Sequence, residues 1–79
     1  MTSMSTTEIR PMANPRAEAH FVASGLPNAL RPAVAQEAHF IMNNVGCRFS
    51  DAVFSAIQGA ARNEWASPLA RSIAAEVTA

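Results

Sequence analysis

The sequence contains no lysine, and its six arginines are balanced by five glutamates and one aspartate, so the formal net charge is zero. A protein whose affinity came mainly from neutralising nucleic-acid phosphates would carry a surplus of positive charge. The balance also argues against a polybasic segment that holds a chain at an anionic membrane surface. A net charge of zero weakens the repulsion between copies and so favours self-association.

Cysteine is scarce as well, because Cys47 is alone and cannot form a disulfide within the chain. Secreted domains of this size usually carry several disulfides, so one cysteine favours a reducing, cytoplasmic location. The first residues lack the basic and then apolar stretch of a signal peptide. No apolar run approaches the eighteen or more residues that a transmembrane helix needs. We therefore expect a cytoplasmic protein without a membrane partner.

The 79 residues suffice for one small domain, and seventeen of them are alanine, which buries little area. Folding a chain of this length hides only about 60% of the surface that the unfolded chain exposes. A partner surface, either a second copy or another protein, would add stability that the core alone does not supply. The sequence thus favours a protein that is covered by a partner.

The distribution of capping residues predicts an all-α fold of four short helices, at about 15–24, 32–44, 50–65 and 68–77. The pairs Asn14-Pro15 and Ser67-Pro68 each place an N-cap residue before a proline at the first helical position. Gly25 can end the first helix in the left-handed conformation. Residues 1–13 are rich in Ser, Thr and Met without periodicity and predict a flexible tail. Residues 14–79 then form a single helical domain.

The third helix is expected to begin at Ser50 as its N-cap, with Phe49 and Phe54 forming a hydrophobic staple around the first turn. Apolar spacing predicts which residues lie along one face of each helix. These are Ala17, Phe21 and His20 in the first helix; Val34, Ala38, Ile41 and Val45 in the second; Val53, Ile57, Ala60, Ala61 and Glu64 or Trp65 in the third; and Leu69, Ile73 and Val77, with Arg71 and Glu76 toward water, in the fourth.

A repeated Glu-Ala-His-Phe sequence, at 18–21 and again at 37–40, raises the question of a metal site. On a helix, however, residues two apart lie about 200° apart around the axis, so neither Glu-x-His pair can hold one ion. Carboxylate-bridged metal bundles use Glu-x-x-His instead. We expect two half-buried histidines, hydrogen-bonded to backbone or carboxylate, and no metal. The repeat is expected to reflect chance or two similar packing faces.

Cys47 is the one candidate nucleophile, since Arg48 could lower the pKa of its thiol and His39 could pair with it. A small alanine-rich core leaves little volume for a substrate cleft, and no glycine-rich phosphate loop is present. We therefore expect a buried, unreactive thiol, with no catalytic residue and no cofactor. The chain is predicted not to be an enzyme.

A helix-turn-helix is a further alternative, with residues 50–57 as the helix that reads DNA. The expected turn, from Asn44 to Phe49, is longer than the usual three to four residues. The reading helix also begins Ser-Asp-Ala-Val-Phe and has no Arg, Lys, Asn or Gln before Gln58. A homodimeric DNA-binding transcriptional regulator is therefore the alternative function rather than the first.

Partner binding is the leading hypothesis, because the second and third helices carry more aromatic and methionine side chains than so small a core can hide. Interfaces favour such residues together with arginine. The candidate binding residues are Phe40, Met42, Phe54 and Trp65, with Arg48 and Arg62 as polar anchors. We expect an interaction protein, acting as a regulator, as an inhibitor of the kind made by phages and mobile elements, or as a minor subunit. It is expected to self-associate through the second and third helices.

Overall fold

Short polar residues followed by proline begin the first and last helices. The computed structural model describes residues 14–78, and within them all regular structure is helical. The helices are α1 (Pro15–Ser24), α2 (Arg31–Val45), α3 (Phe49–Ala61) and α4 (Pro68–Thr78), with a single 3₁₀ turn at Asn28–Leu30. The predicted all-α fold of four helices is therefore confirmed. The predicted tail, residues 1–13, lies outside the described residues.

The capping residues act as the sequence predicts in α1 and α4. The Asn14 side chain accepts hydrogen bonds from the Arg16 and Ala17 amides, at 2.9 and 3.1 Å. The Ser67 hydroxyl accepts one from the Ala70 amide at 3.2 Å. These bonds satisfy amide groups that the first turn of a helix leaves without partners. None of the four helices in residues 14–78 is long and apolar enough to cross a membrane.

The third helix departs from its predicted bounds at both ends. It begins at Phe49 with Arg48 in the cap position, so Ser50 does not cap it and instead lies buried in the first turn. Phe49 is therefore a helical residue and not the first half of a staple. The helix ends at Ala61, four residues before the predicted end, because the chain turns back at Asn63 in a left-handed conformation (φ 56°).

The core consists mainly of alanine. Helix α2 packs against both α3 and α4, while α1 packs against α3. Nine alanines are buried among these helices, and the largest fully buried side chains are Val34 and Val53. Such small side chains let helix axes approach closely, and they leave the bulkier residues to fill the edges of the core. Phe21, Leu30 and Trp65 do so.

Arg31 ties the first part of the fold together. Its guanidinium is buried, lies 4.6 Å from the centre of the Phe21 ring, and donates to the Asn28 side chain at 2.8 and 3.2 Å. It also forms an ion pair with Glu18. One residue at the start of α2 thus joins α1 and the 3₁₀ turn by charge, hydrogen bonds and a cation–π contact.

Four apolar residues that were expected along inner faces are exposed instead. They are Val45 in α2, Ala61 in α3, and Leu69 and Val77 in α4. In α4 the buried residues are Ala70 and Ala74, so the alanines and not the larger side chains face the core. The predictions for these residues were wrong, and in α4 the reason is that the helix packs through its small residues.

Candidate partner-binding groove

An open groove of about 740 Å³ runs along the junction of α2 and α3. Ile41 and Val45 form its wall on α2, and Phe54 forms the facing wall on α3. Val45 is 72% exposed and Phe54 is 52% exposed, so the two helices expose large apolar side chains on one surface. The full lining consists of Glu37, Ile41, Val45, Phe54, Ser55, Gln58, Gly59, Arg62, Glu64, Trp65 and Ala66. We call this surface the α2–α3 groove.

The loop that leaves α3 closes one end of the groove. The Asn63 and Glu64 amides donate to the carbonyls of Ala60 and Gly59, at 2.9 and 2.8 Å, which is the pattern of a Schellman motif. The returning chain passes so close to Gly59 that a Cβ there would lie 2.7 Å from the Glu64 carbonyl oxygen. Glycine at this position therefore allows the loop to reach the end of the groove.

A buried carboxylate fixes the other side of that loop. Glu37 lies on α2, and its two oxygens accept hydrogen bonds from the Ala66 and Ser67 amides, each at 2.9 Å. These amides immediately precede α4, so the negative charge also lies near the start of that helix, where the helix dipole favours it. Glu37 thereby positions both the loop and the first turn of α4.

Trp65 is held against this anchored loop. Its indole N–H donates to the Asn63 side chain at 3.1 Å, and its carbonyl accepts from the Arg71 guanidinium at 3.0 Å. The side chain is only 7% exposed. Trp65 was expected to be an exposed aromatic residue, and this expectation is wrong because the side chain is buried. The residue nevertheless borders the groove. Its large ring fills the edge of the core beside the loop.

The exposed Phe54 ring is supported from behind by α1. The His20 and Phe54 rings lie with their centres 5.4 Å apart and their planes tilted by 59°. This separation is within the range of favourable aromatic contacts. Phe54 is thus contacted by His20 of α1, while half of its side chain remains exposed at the groove.

The charges of the groove lie at the end closed by the loop. Arg62 donates to the Glu64 carboxylate at 3.0 Å, and both side chains are well exposed. An exposed pair of this kind contributes little to stability because water screens it. Its two charges therefore remain available to a ligand, next to the apolar stretch formed by Ile41, Val45 and Phe54.

The six predicted binding residues do not form one surface. Three of them, Phe54, Arg62 and Trp65, border the groove. Phe40 and Met42 are half-buried, with Met42 packed against the core, and Arg48 is exposed in the cap position of α3. These last three residues do not line the groove, so the groove accounts for half of the predicted set.

Sequence reasoning missed two important residues of the groove. Val45 follows the apolar spacing of α2 and was therefore assigned to the buried face, and Glu37 was considered only as a metal ligand. The amides that Glu37 binds lie about thirty residues further along the chain. No local pattern in the sequence indicates that Glu37 binds these amides. The exposure of Val45 could have been suspected, because Val45 is the last residue of α2 and is followed by the helix-ending Gly46.

The two histidines contact different aromatic rings. His20 lies against Phe54, and His39 lies against Phe49 with ring centres 4.9 Å apart. These contacts differ from the expected hydrogen bonds to backbone or carboxylate, and His39 is exposed rather than half-buried. Cys47 is half-buried, not fully buried. Within residues 14–78 no three His, Cys, Asp or Glu side chains come together as metal ligands would.

The groove therefore combines an apolar centre, a pair of opposite charges at one end and a rigidly held loop. Such a surface can bind the apolar side of a helix while its charges select orientation. Comparison with known protein families, characterised proteins and solved structures gives no match for this chain.

Proposed function

We propose that this chain is a non-enzymatic interaction module, which acts in the cytoplasm as a small regulator or inhibitor by binding a protein partner in the α2–α3 groove. The observation that carries the proposal is the exposure of Val45 and Phe54 beside Ile41 in one concave surface. Contiguous exposed apolar surface on a small protein commonly marks an interaction site. The ligand that fits is an amphipathic helix with apolar residues three or four positions apart.

The composition of the groove supports binding rather than catalysis. Its lining contains no histidine or cysteine, and its charged groups are already engaged, because Glu37 accepts two backbone amides and Arg62 pairs with Glu64. A catalytic site needs a nucleophile or an acid–base group within hydrogen-bond reach of a reacting atom. An apolar centre with charges at its edge is the usual arrangement of a protein interface.

The test compares two valines that are similarly exposed but lie on different surfaces. Val45 lines the groove, while Val22 on α1 is 64% exposed and is not among the groove residues. Tagged wild-type, Val45→Asp and Val22→Asp chains are used to capture proteins from a lysate of the source cells. Circular dichroism verifies that all three chains are equally helical.

We expect a stoichiometric protein partner on the wild type and on Val22→Asp, and at least about a tenfold loss on Val45→Asp. The loss follows because a buried aspartate without a partner costs several kcal/mol. Equal capture by the two variants would show that the groove is not the binding surface, and the absence of any partner would remove the proposal.

A helix-turn-helix function is the second candidate, and one observation favours it. The turn between α2 and α3 comprises only residues 46–48, which is shorter than the sequence suggested and is a usual length for this motif. The exposed residues at the start of α3 nevertheless include Asp51 and Phe54, which are poor contacts for phosphates. Duplex DNA titrated at low salt distinguishes the functions, since a DNA-binding protein would bind with an affinity that falls steeply as salt rises.

A further inference from the structure

Helix α4 presents an apolar stripe whose two end residues, Leu69 and Val77, are exposed, while its middle residue, Ile73, is partly buried against the core. Leu69, Ile73 and Val77 lie at four-residue intervals, and Leu69 is 54% exposed while Val77 is also exposed. A surface helix usually turns its largest apolar residues toward the core. In α4 the alanines take that place, so Leu69 and Val77 remain at the surface. We call Leu69, Ile73 and Val77 the α4 stripe.

We propose that the α2–α3 groove of the free protein is covered by the α4 stripe of a second copy, and that two copies exchange these contacts reciprocally in a closed homodimer. The inference rests on the groove that carries the proposed function. Five large apolar residues of the described chain are exposed, and four of them belong to the groove or the stripe. A contact between the two surfaces would cover all four at once.

The groove and the stripe match in length. Leu69 and Val77 are eight residues apart, which spans about 12 Å along a helix. Glu37 and Val45, at the two ends of the groove wall on α2, are also eight residues apart and span about 12 Å. One helix of this length can therefore lie along the groove with its apolar residues opposite Ile41, Val45 and Phe54.

One charged residue beside the stripe, Glu76, is opposite in sign to Arg62 of the groove. Glu76 follows Ile73 by three residues, so on a helix it lies at the edge of the stripe, and it forms no ion pair within residues 14–78. Arg62 at the end of the groove is exposed and paired with Glu64, so Glu76 would be a second carboxylate beside it. A helix placed with its last turn at that end would bring Glu76 toward Arg62. The zero net charge of the chain adds no general repulsion between copies.

Reciprocal exchange also explains how so small a protein could reach a stable contact area. Interfaces of ordinary size hide about 800 Å² of each partner. In a twofold dimer each copy contributes both its groove and its α4 stripe, so the same groove–stripe contact is made twice. The apolar area hidden per copy is therefore roughly double that of a single helix in a single groove.

The experiment measures mass by sedimentation equilibrium on the whole chain and on three arginine variants. Val45→Arg disrupts the groove, Leu69→Arg disrupts the stripe, and Val22→Arg is the control on a surface outside both. All three positions are exposed in the single chain, so each variant is expected to fold. We expect the wild type and Val22→Arg to have twice the 8.4 kDa mass of the chain at about 100 µM.

Each disruptive variant alone breaks both contacts of the dimer, and we expect its dissociation constant to rise by on the order of 100-fold. An equal mixture of Val45→Arg and Leu69→Arg chains has a different outcome. The intact groove of the Leu69→Arg chain can hold the intact stripe of the Val45→Arg chain, so a heterodimer with one good contact should form. This recovery is specific to groove–stripe exchange.

A monomeric wild type, larger open assemblies, a Leu69→Arg chain that remains dimeric, or a mixture that remains monomeric would each overturn the inference. The proposed function is tested separately, because Leu69→Arg leaves the groove intact. Capture of a partner by this variant should persist or increase, since the competing copy has been removed. Loss of dimerisation without loss of capture thus separates the two conclusions.

Discussion

Replacing Glu37 by glutamine tests the role of the buried carboxylate in building the groove. The carboxylate accepts two backbone hydrogen bonds at 2.9 Å, from Ala66 and Ser67. Glutamine has one acceptor oxygen, so it keeps one of these bonds and turns an NH₂ group toward the other amide. Losing a hydrogen bond to a charged group costs about 1.5–3 kcal/mol, so we expect a loss of about 2 kcal/mol in the free energy of unfolding.

The assay is urea unfolding followed by circular dichroism, together with the fluorescence of the single tryptophan, Trp65. With a urea dependence of about 1 kcal/mol per molar, a loss of 2 kcal/mol lowers the midpoint by about 2 M. That change is large beside a total stability of about 4–12 kcal/mol for a chain of this length.

Glu64→Gln is the matched control, because it makes the same chemical change at an exposed ion pair with Arg62. We expect that variant to lose no more than about 0.5 kcal/mol. Equal stabilities for Glu37→Gln and the wild type would refute the view that Glu37 anchors the loop. Equal losses in the two glutamine variants would show that the effect depends on charge in general and not on the two amides.

Three further variants test other parts of the structure. Gly59→Ala should lower the free energy of unfolding by about 1–3 kcal/mol in urea melts, because the added Cβ would meet the Glu64 carbonyl oxygen. Alanine usually stabilises a helix relative to glycine, and a gain in stability here would contradict the loop geometry. Arg31→Lys should cost about 2 kcal/mol in thermal melts, since lysine cannot reproduce the forked bonds to Asn28, and an unchanged midpoint would contradict this role. Phe54→Ala should change stability by less than about 1 kcal/mol yet weaken partner capture at least tenfold; a large loss of stability would place Phe54 in the core instead.

The sequence predicts the element content well because helix ends are determined locally. Asn14 and Ser67 cap their helices with hydrogen bonds to residues two or three positions away. Gly25 adopts the left-handed conformation that ends α1. These capping interactions involve residues that are close together in the sequence, so they can be predicted from the sequence alone.

The end of α3 shows what a local reading can miss. The turn at Asn63 depends on the ability of asparagine to adopt the left-handed backbone conformation. It also requires the Glu64 backbone to pass close to Gly59, which has no Cβ. The sequence contains both residues, but the apolar spacing through Trp65 favours a longer helix. The buried position of Trp65 further implies that Trp65→Ala would cost fold stability and not only partner affinity.

The faces of the helices are harder to predict because alanine dominates the core. Apolar periodicity assumes that the largest residues face inward, yet α4 buries Ala70 and Ala74 and exposes Leu69. Where α4 packs closely against α2, small side chains fit between the helices and large ones do not. The larger residues left exposed in α4, Leu69 and Val77, belong to the α4 stripe.

The most direct measurement of the central claim is photo-crosslinking in living source cells, with p-benzoylphenylalanine in place of Val45 or of Val22. If the α2–α3 groove is a docking surface, position 45 should give a discrete covalent adduct, and position 22 should give none above background. The mass of the adduct identifies the occupant, since a second copy adds 8.4 kDa and another protein adds its own mass. No adduct at position 45, or equal adducts at both positions, would contradict the account.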